Sequence, residues 1–136
     1  MKVPPDQREA LQPALAAEHA AVYAYGVIGG VLQSAQSYSA YAAHRGRRDQ
    51  LLAMIGDDAV PAEPVYELPF EVTGPARAER LAVRVEGRCA EAYAAVVSHT
   101  VGSVRAYAAR GLTECAVREL AWGGDLEPWP GLRGGR

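Results

Sequence analysis

Neither sign of charge is in excess in this chain: 14 lysine and arginine side chains face 16 aspartates and glutamates, for a formal net charge of −2. A basic surface able to follow a phosphate backbone is not expected, so nucleic acid is excluded as a partner. Cysteine is scarce, with two in 136 residues. Cys89 and Cys115 have no CxxC partner and fall within helical patterns, which excludes a zinc framework or disulfide scaffold and leaves packed, reduced thiols. Long apolar runs are missing too. The uncharged stretch from Ala20 to Tyr41 mixes in Gln33, Ser34, Gln36, Ser37 and Ser39, and its apolar part ends near Leu32, short of the ~20 residues of a membrane span. The opening residues, Met1-Lys2-Val3-Pro4-Pro5-Asp6, hold no apolar leader core, so a cytoplasmic location without membrane contact is expected. There is no internal repeat and no low-complexity segment.

What the chain does have is helical periodicity in four stretches. Pro4, Pro5 and Asp6 signal the start of the first, which runs to about Leu32. Leu11, Leu15, Glu18, Val22, Tyr25 and Gly29 recur along it at spacings of three and four and share one face. The second runs from about Ser34 to Ile55, with Ser37, Ala40, His44, Arg48, Leu51 and Ile55 on a common face and Gly56 as its C-cap. From 57 to 74 the pattern stops. Pro61, Pro64 and Pro69 punctuate an extended run whose Val65, Tyr66, Leu68 and Phe70 are expected to dock on the helices. The third helix opens at Thr73, Gly74 and Pro75 and continues to about His99, with Ala82, Glu86, Cys89, Tyr93 and Val97 together. The fourth, about Gly102 to Trp122, aligns Val104, Ala108, Gly111, Cys115 and Trp122, while Arg118 and Glu119 crowd its edges. Residues 1–123 are thus predicted as one domain and 124–136 as an irregular tail anchored at most by Trp129.

Three ionisable side chains, Glu18, His44 and Glu86, lie within the apolar stripes of three different helices. A polar group there is costly unless something satisfies it, so the three are expected to converge. One reading makes them candidate metal ligands for a single Fe, Mn or Zn ion, with Tyr41 or water completing the shell. The other makes them a satisfied polar network in which Arg48, one turn after His44, supplies the cation for Glu18 or Glu86. The network is the preferred reading, with no cofactor expected. His19 and His99 are read as capping or surface residues. A Cys89–His44 nucleophile pair is rejected, because a mid-helix thiol without oxyanion donors is packing. Arg77, Arg80, Arg84 and Arg88 alternate with Glu79, Glu86 and Glu91 as a solvated face.

Short, long and short links joining four helices are the connectivity of a ferritin-like bundle with one long crossover between helices two and three. About 18 extended residues reach roughly 59 Å, more than the ~37 Å of a 25-residue helix. The chain also resembles a bacterial ferritin-like domain family of unassigned function. The words that carry the resemblance are Ala16-Ala17-Glu18-His19-Ala20-Ala21-Val22-Tyr23-Ala24-Tyr25-Gly26, His44-Arg45-Gly46-Arg47-Arg48-Asp49, Tyr66-Glu67-Leu68-Pro69-Phe70 and Glu86-Gly87-Arg88-Cys89. The resemblance implies an all-α bundle without an established activity. Metal-binding members of the wider superfamily use a Glu on two helices and Glu-x-x-His on the other two. Glu18, His44 and Glu86 match three of those positions, but Tyr41 replaces the second-helix Glu and the fourth helix has no histidine. A di-metal centre is therefore not expected. The expected function is a non-catalytic binding or assembly module, forming a homodimer through the small residues of helix one and the weakly patterned helix four. Whether a small-molecule ligand binds is not set by the sequence.

Overall fold

Pro5 and Asp6 start the first helix where the sequence places it, in a computed structural model that describes residues 2–125. Four α-helices and no strand occur among the described residues: α1 Pro5–Leu32, α2 Ala35–Ile55, α3 Pro75–His99 and α4 Gly102–Ala121. Their ends have local causes. Gln33 takes a left-handed conformation and returns its N–H to the Gly29 carbonyl, closing α1. Ser34 then caps α2 reciprocally with Ser37, each side chain accepting from the other's backbone N–H. At the far end Gly56, with φ of 84°, turns the chain into a single 3-10 turn, Gly56–Asp58.

Helix α1 is the centre of the packing, against α2 on one side and α3 on the other, and α3 in turn carries α4. Two apolar clusters result. One gathers Leu11, Leu15, Leu51, Ile55, Tyr93 and Val96 with neighbours from α4. The other gathers Ala24, Tyr25, Ile28, Ala40, Ala78 and Leu81. Helix α4 is tied across to α2 by Arg47, whose guanidinium lies 4.7 Å from the Tyr107 ring centroid and 2.7 Å from Glu114.

Residues 59–74 form neither helix nor strand and run along α1. The Val60 N–H donates to Gln12 Oε1 at 2.8 Å, and the Val60 carbonyl accepts from His19 Nε2 at 3.0 Å. Further along, Tyr66 packs on Tyr23 with ring centroids 5.6 Å apart. Leu68, Phe70 and Val72 then dock on the second apolar cluster. The expected docking of this loop is thus observed for Tyr66, Leu68 and Phe70, whereas Val65 is 69% exposed. His19 differs from expectation: it is buried and holds the loop rather than facing solvent.

The length argument against a membrane span also needs correction. By length and composition alone α1 is long and apolar enough to cross a bilayer. Its buried stripe nevertheless packs on two other helices and carries Glu18, which is fully buried among them. Of the expected tail, Gly124 donates its N–H to the Glu119 carbonyl at 2.9 Å. Trp129 and the rest of 126–136 lie outside the described residues.

Gly111 marks a close contact between α4 and α3. A Cβ built there would meet the Tyr93 ring at 2.8 Å, closer than a Cβ approaches a ring carbon. Alanine would otherwise favour the helix by up to ~1 kcal/mol, but displacing a fully packed ring typically costs ~1–3 kcal/mol. Gly111→Ala is therefore expected to lower the denaturation midpoint in urea, against the direction helix propensity alone gives.

Candidate functional site

Between the two apolar clusters, the structure brings Glu18 from α1, His44 from α2 and Glu86 from α3 into direct contact, all three with no exposed surface. Glu18 Oε1 bonds His44 Nδ1. On the other edge of the ring, His44 Nε2 lies 2.9 Å from Glu86 Oε2. A neutral imidazole has one N–H and one lone pair, and a lone pair aimed at a carboxylate would be repulsive. With ionised carboxylates on both nitrogens, the arrangement favours the doubly protonated imidazolium.

The remaining lone pairs of the two glutamates are also used. Tyr93 donates its hydroxyl to Glu18 Oε2 at 2.7 Å, and Tyr25 donates to Glu86 Oε2 at 2.5 Å. The Tyr25 ring stacks on the His44 ring at 5.3 Å between centroids. Arg118 of α4 donates Nε to Glu86 Oε1 at 3.1 Å and approaches Cys115 Sγ at 3.7 Å. The thiol of Cys89 lies 3.9 Å from Glu18 Oε1 and 3.8 Å from the Ala17 carbonyl. Written as two carboxylates, one imidazolium and one guanidinium, the cluster is electrically neutral, which is the condition for holding charges in a dry interior.

The trio thus meets as the stripes indicate, but two of its expected neighbours do not join it. The Arg48 guanidinium points outward and pairs with Asp49 at 2.9 Å. Tyr41 is half-buried, its ring beneath the Arg45 guanidinium at 5.5 Å. Arg118 supplies the cation instead. Its position at the edge of the α4 stripe, three residues after buried Cys115, is the signal that was available in the sequence. Tyr25 and Tyr93 lie within the stripes of Glu18 and Glu86, and their hydroxyls, in reach of carboxylates one helix away, complete the set. His99 is exposed and bonds the Ala95 carbonyl near the end of α3, as expected of a capping residue.

Burial, which alone would lower it, is outweighed at His44 by the hydrogen bonds its ring donates to Glu18 and Glu86, and the imidazole is raised from 6.5 to about 10. Glu86 goes the other way. Burial would raise it, but the bond to His44 and the charges of His44 and Arg118 hold it below its usual 4.5. Burial and the carboxylates beside them push the Tyr25 and Tyr93 phenols up, fixing them as donors. The bond to Cys115, burial and Glu18 likewise push the Cys89 thiol up, away from the reactive thiolate.

These shifts set a pH dependence. A raised histidine adds stability that is fully present below its unfolded value and is lost as pH rises through its folded value. A depressed carboxylate adds stability that is present above its unfolded value and is lost as pH falls. Thermal unfolding is therefore expected to show a highest Tm between about pH 4.5 and 6.5, with a decline from 6.5 towards 10 that His44→Ala removes.

A metal ion would have to displace the proton and the hydrogen bonds that now occupy the ring nitrogens of His44. Glu18, His44 and Cys89 each present a ligating atom within 4.8 Å of the others, a donor set of oxygen, nitrogen and sulfur. Yet both imidazole nitrogens already face carboxylates, and Arg118 brings a fixed positive charge to Glu86.

The sequence matches a family model described as "Domain of unknown function (DUF4439)" over residues 10–134. In structure it is similar to a conserved hypothetical protein from Mycobacterium tuberculosis, known from a crystal structure. The two are 38% identical, with a TM-score of 0.80 over 86% of this chain and 87% of that one. No curated protein matches it.

Proposed function

The chain belongs to the DUF4439 family, and from that premise we propose that it is a non-catalytic binding or assembly module whose buried polar cluster locks the register of its helices. The observation that carries this reading is the closure of the cluster: Glu18, His44 and Glu86 are fully buried, and both imidazole nitrogens are engaged within the molecule. A catalytic site needs a group turned toward a substrate. The proposed fold is a ferritin-like bundle, with residues 57–74 as its long crossover. The course of that segment along α1, from Gln12 past His19 and Tyr23 to the second apolar cluster, supports it.

The proposed partner is a second copy, in a cytoplasmic homodimer. Exposed Val117 and Leu120 on α4 favour a covered face. Light scattering across protein concentration is expected to give twice the chain mass of 14.5 kDa; a monomer at high concentration would remove the assembly reading. A metal-binding function, with one Fe, Mn or Zn ion, is the competing reading, and the closeness of Glu18, His44 and Cys89 favours it. Elemental analysis of purified protein separates the two. Stoichiometric metal that disappears in His44→Ala would establish the metal protein, and a metal-free, folded sample is expected.

A further inference from the structure

A groove of about 550 Å3 lies between α1 and α3 on the side covered by Tyr66–Pro69, within the ~300–1,000 Å3 of small-molecule clefts. Its origin is in the sequence. Ala17, Ala20, Ala21 and Ala24 line it from α1, so that wall consists of methyl groups and leaves width that larger side chains would fill. Leu81 and Val85 line it from α3, and the buried Cys89 thiol also borders it. The loop over it is held from both ends, by Tyr66 on Tyr23 and by Leu68 and Phe70 on the second apolar cluster.

Charge is confined to the rim. Arg84 and Arg88, four residues apart and so on one face of α3, both line the groove and are exposed. Neither has a hydrogen-bond or ion-pair partner among the described residues. Glu67 in the loop is the one acidic lining residue, leaving a net positive rim. An apolar trough bordered by two guanidiniums without a partner among the described residues matches a molecule with an apolar chain and an anionic head. An α-helix from a second copy is about 10 Å across and needs more room for two turns than the groove holds.

Resting on the binding-module reading, we propose that the α1–α3 groove binds a single-chain amphiphile with a carboxylate head, its chain along the alanine wall and its head between Arg84 and Arg88. The rise from Ala17 to Ala24 is about 10 Å, the scale of a medium-chain alkanoate. The probe is decanoate, titrated into the full chain below its micelle concentration and followed by calorimetry and amide NMR.

Saturable binding with shifts at residues 17–24 and 81–89 is expected. Arg84→Ala with Arg88→Ala, both at exposed positions, should weaken it about tenfold. Ala20→Leu, which fills the trough, should abolish it while the protein stays folded. Decyltrimethylammonium, of equal chain and opposite charge, should fail to compete. Absence of saturable binding, equal binding of the cationic amphiphile, or an unchanged affinity in the double arginine variant would each overturn the proposal. So would a preference for anionic vesicles over free decanoate, which would make the face a membrane contact. If Ala20→Leu converts dimer to monomer, the groove belongs to the copy interface and the ligand assignment falls. A failed titration with the dimer intact would overturn the ligand alone, and a monomer that binds decanoate would overturn only the assembly.

Discussion

Glu86→Ala is expected to cost about 3–5 kcal/mol of stability, the range found when one member of a buried ion pair is deleted. Three donors lose their acceptor at once: the Tyr25 hydroxyl, His44 Nε2 and Arg118 Nε. Tyr25 and His44 are buried and cannot turn to water, while Arg118, with a fifth of its side chain exposed, recovers part of its hydration. For a domain of this size the loss corresponds to a drop in Tm on the order of 10 °C or more. Arg48→Ala is the control. Its guanidinium pairs with Asp49 at the surface, and its removal should change stability by no more than about 0.5 kcal/mol. Equal losses in the two variants would return Arg48 to the role that Arg118 holds in the structure.

His44→Ala is expected to be comparably severe, by about 3–5 kcal/mol, for a different reason. The imidazolium is the only cation between Glu18 and Glu86 in the cluster, and Arg118 reaches just the second of them. Without the ring, two buried carboxylates confront each other across a cavity. One of them then gains by taking up a proton, so the variant should recover stability as pH falls from 7 towards 5. The parent should stay nearly level between 6.5 and 4.5. Urea denaturation at both pH values, on both proteins, reads this crossing directly. Parallel pH profiles would mean that His44 is neutral in the folded protein and that the charges are balanced some other way.

Backbone-level features were legible from sequence because their causes are local. Proline at the start of α1 and α3 and Gly56 after Ile55 each act within a few residues, and the helices begin and end there. Periodicity also placed Glu18, His44 and Glu86 on inward faces, because a stripe at spacings of three and four defines which side is buried. Partner choice was not legible in the same way. Arg48 shares a stripe with His44 in a helical projection, but it lies at the stripe's edge, beside Asp49, where a short surface pair competes with burial. Arg118 sits at the edge of the α4 stripe, so its inward reach depends on how α4 packs on α3, a tertiary fact. His19 illustrates the same limit. Its burial comes from the loop laid over it at Val60, which no periodicity within α1 encodes.

The central claim is that a closed, charge-matched cluster holds these helices, with His44 as a cation between two glutamates. Nitrogen-15 NMR of the histidine rings at pH 8 tests it most directly, since the ring shifts distinguish imidazolium from either neutral tautomer. The account expects His44 to carry protons on both nitrogens at that pH. A neutral His44 ring at pH 8, or one with a nitrogen bound to metal, would contradict it.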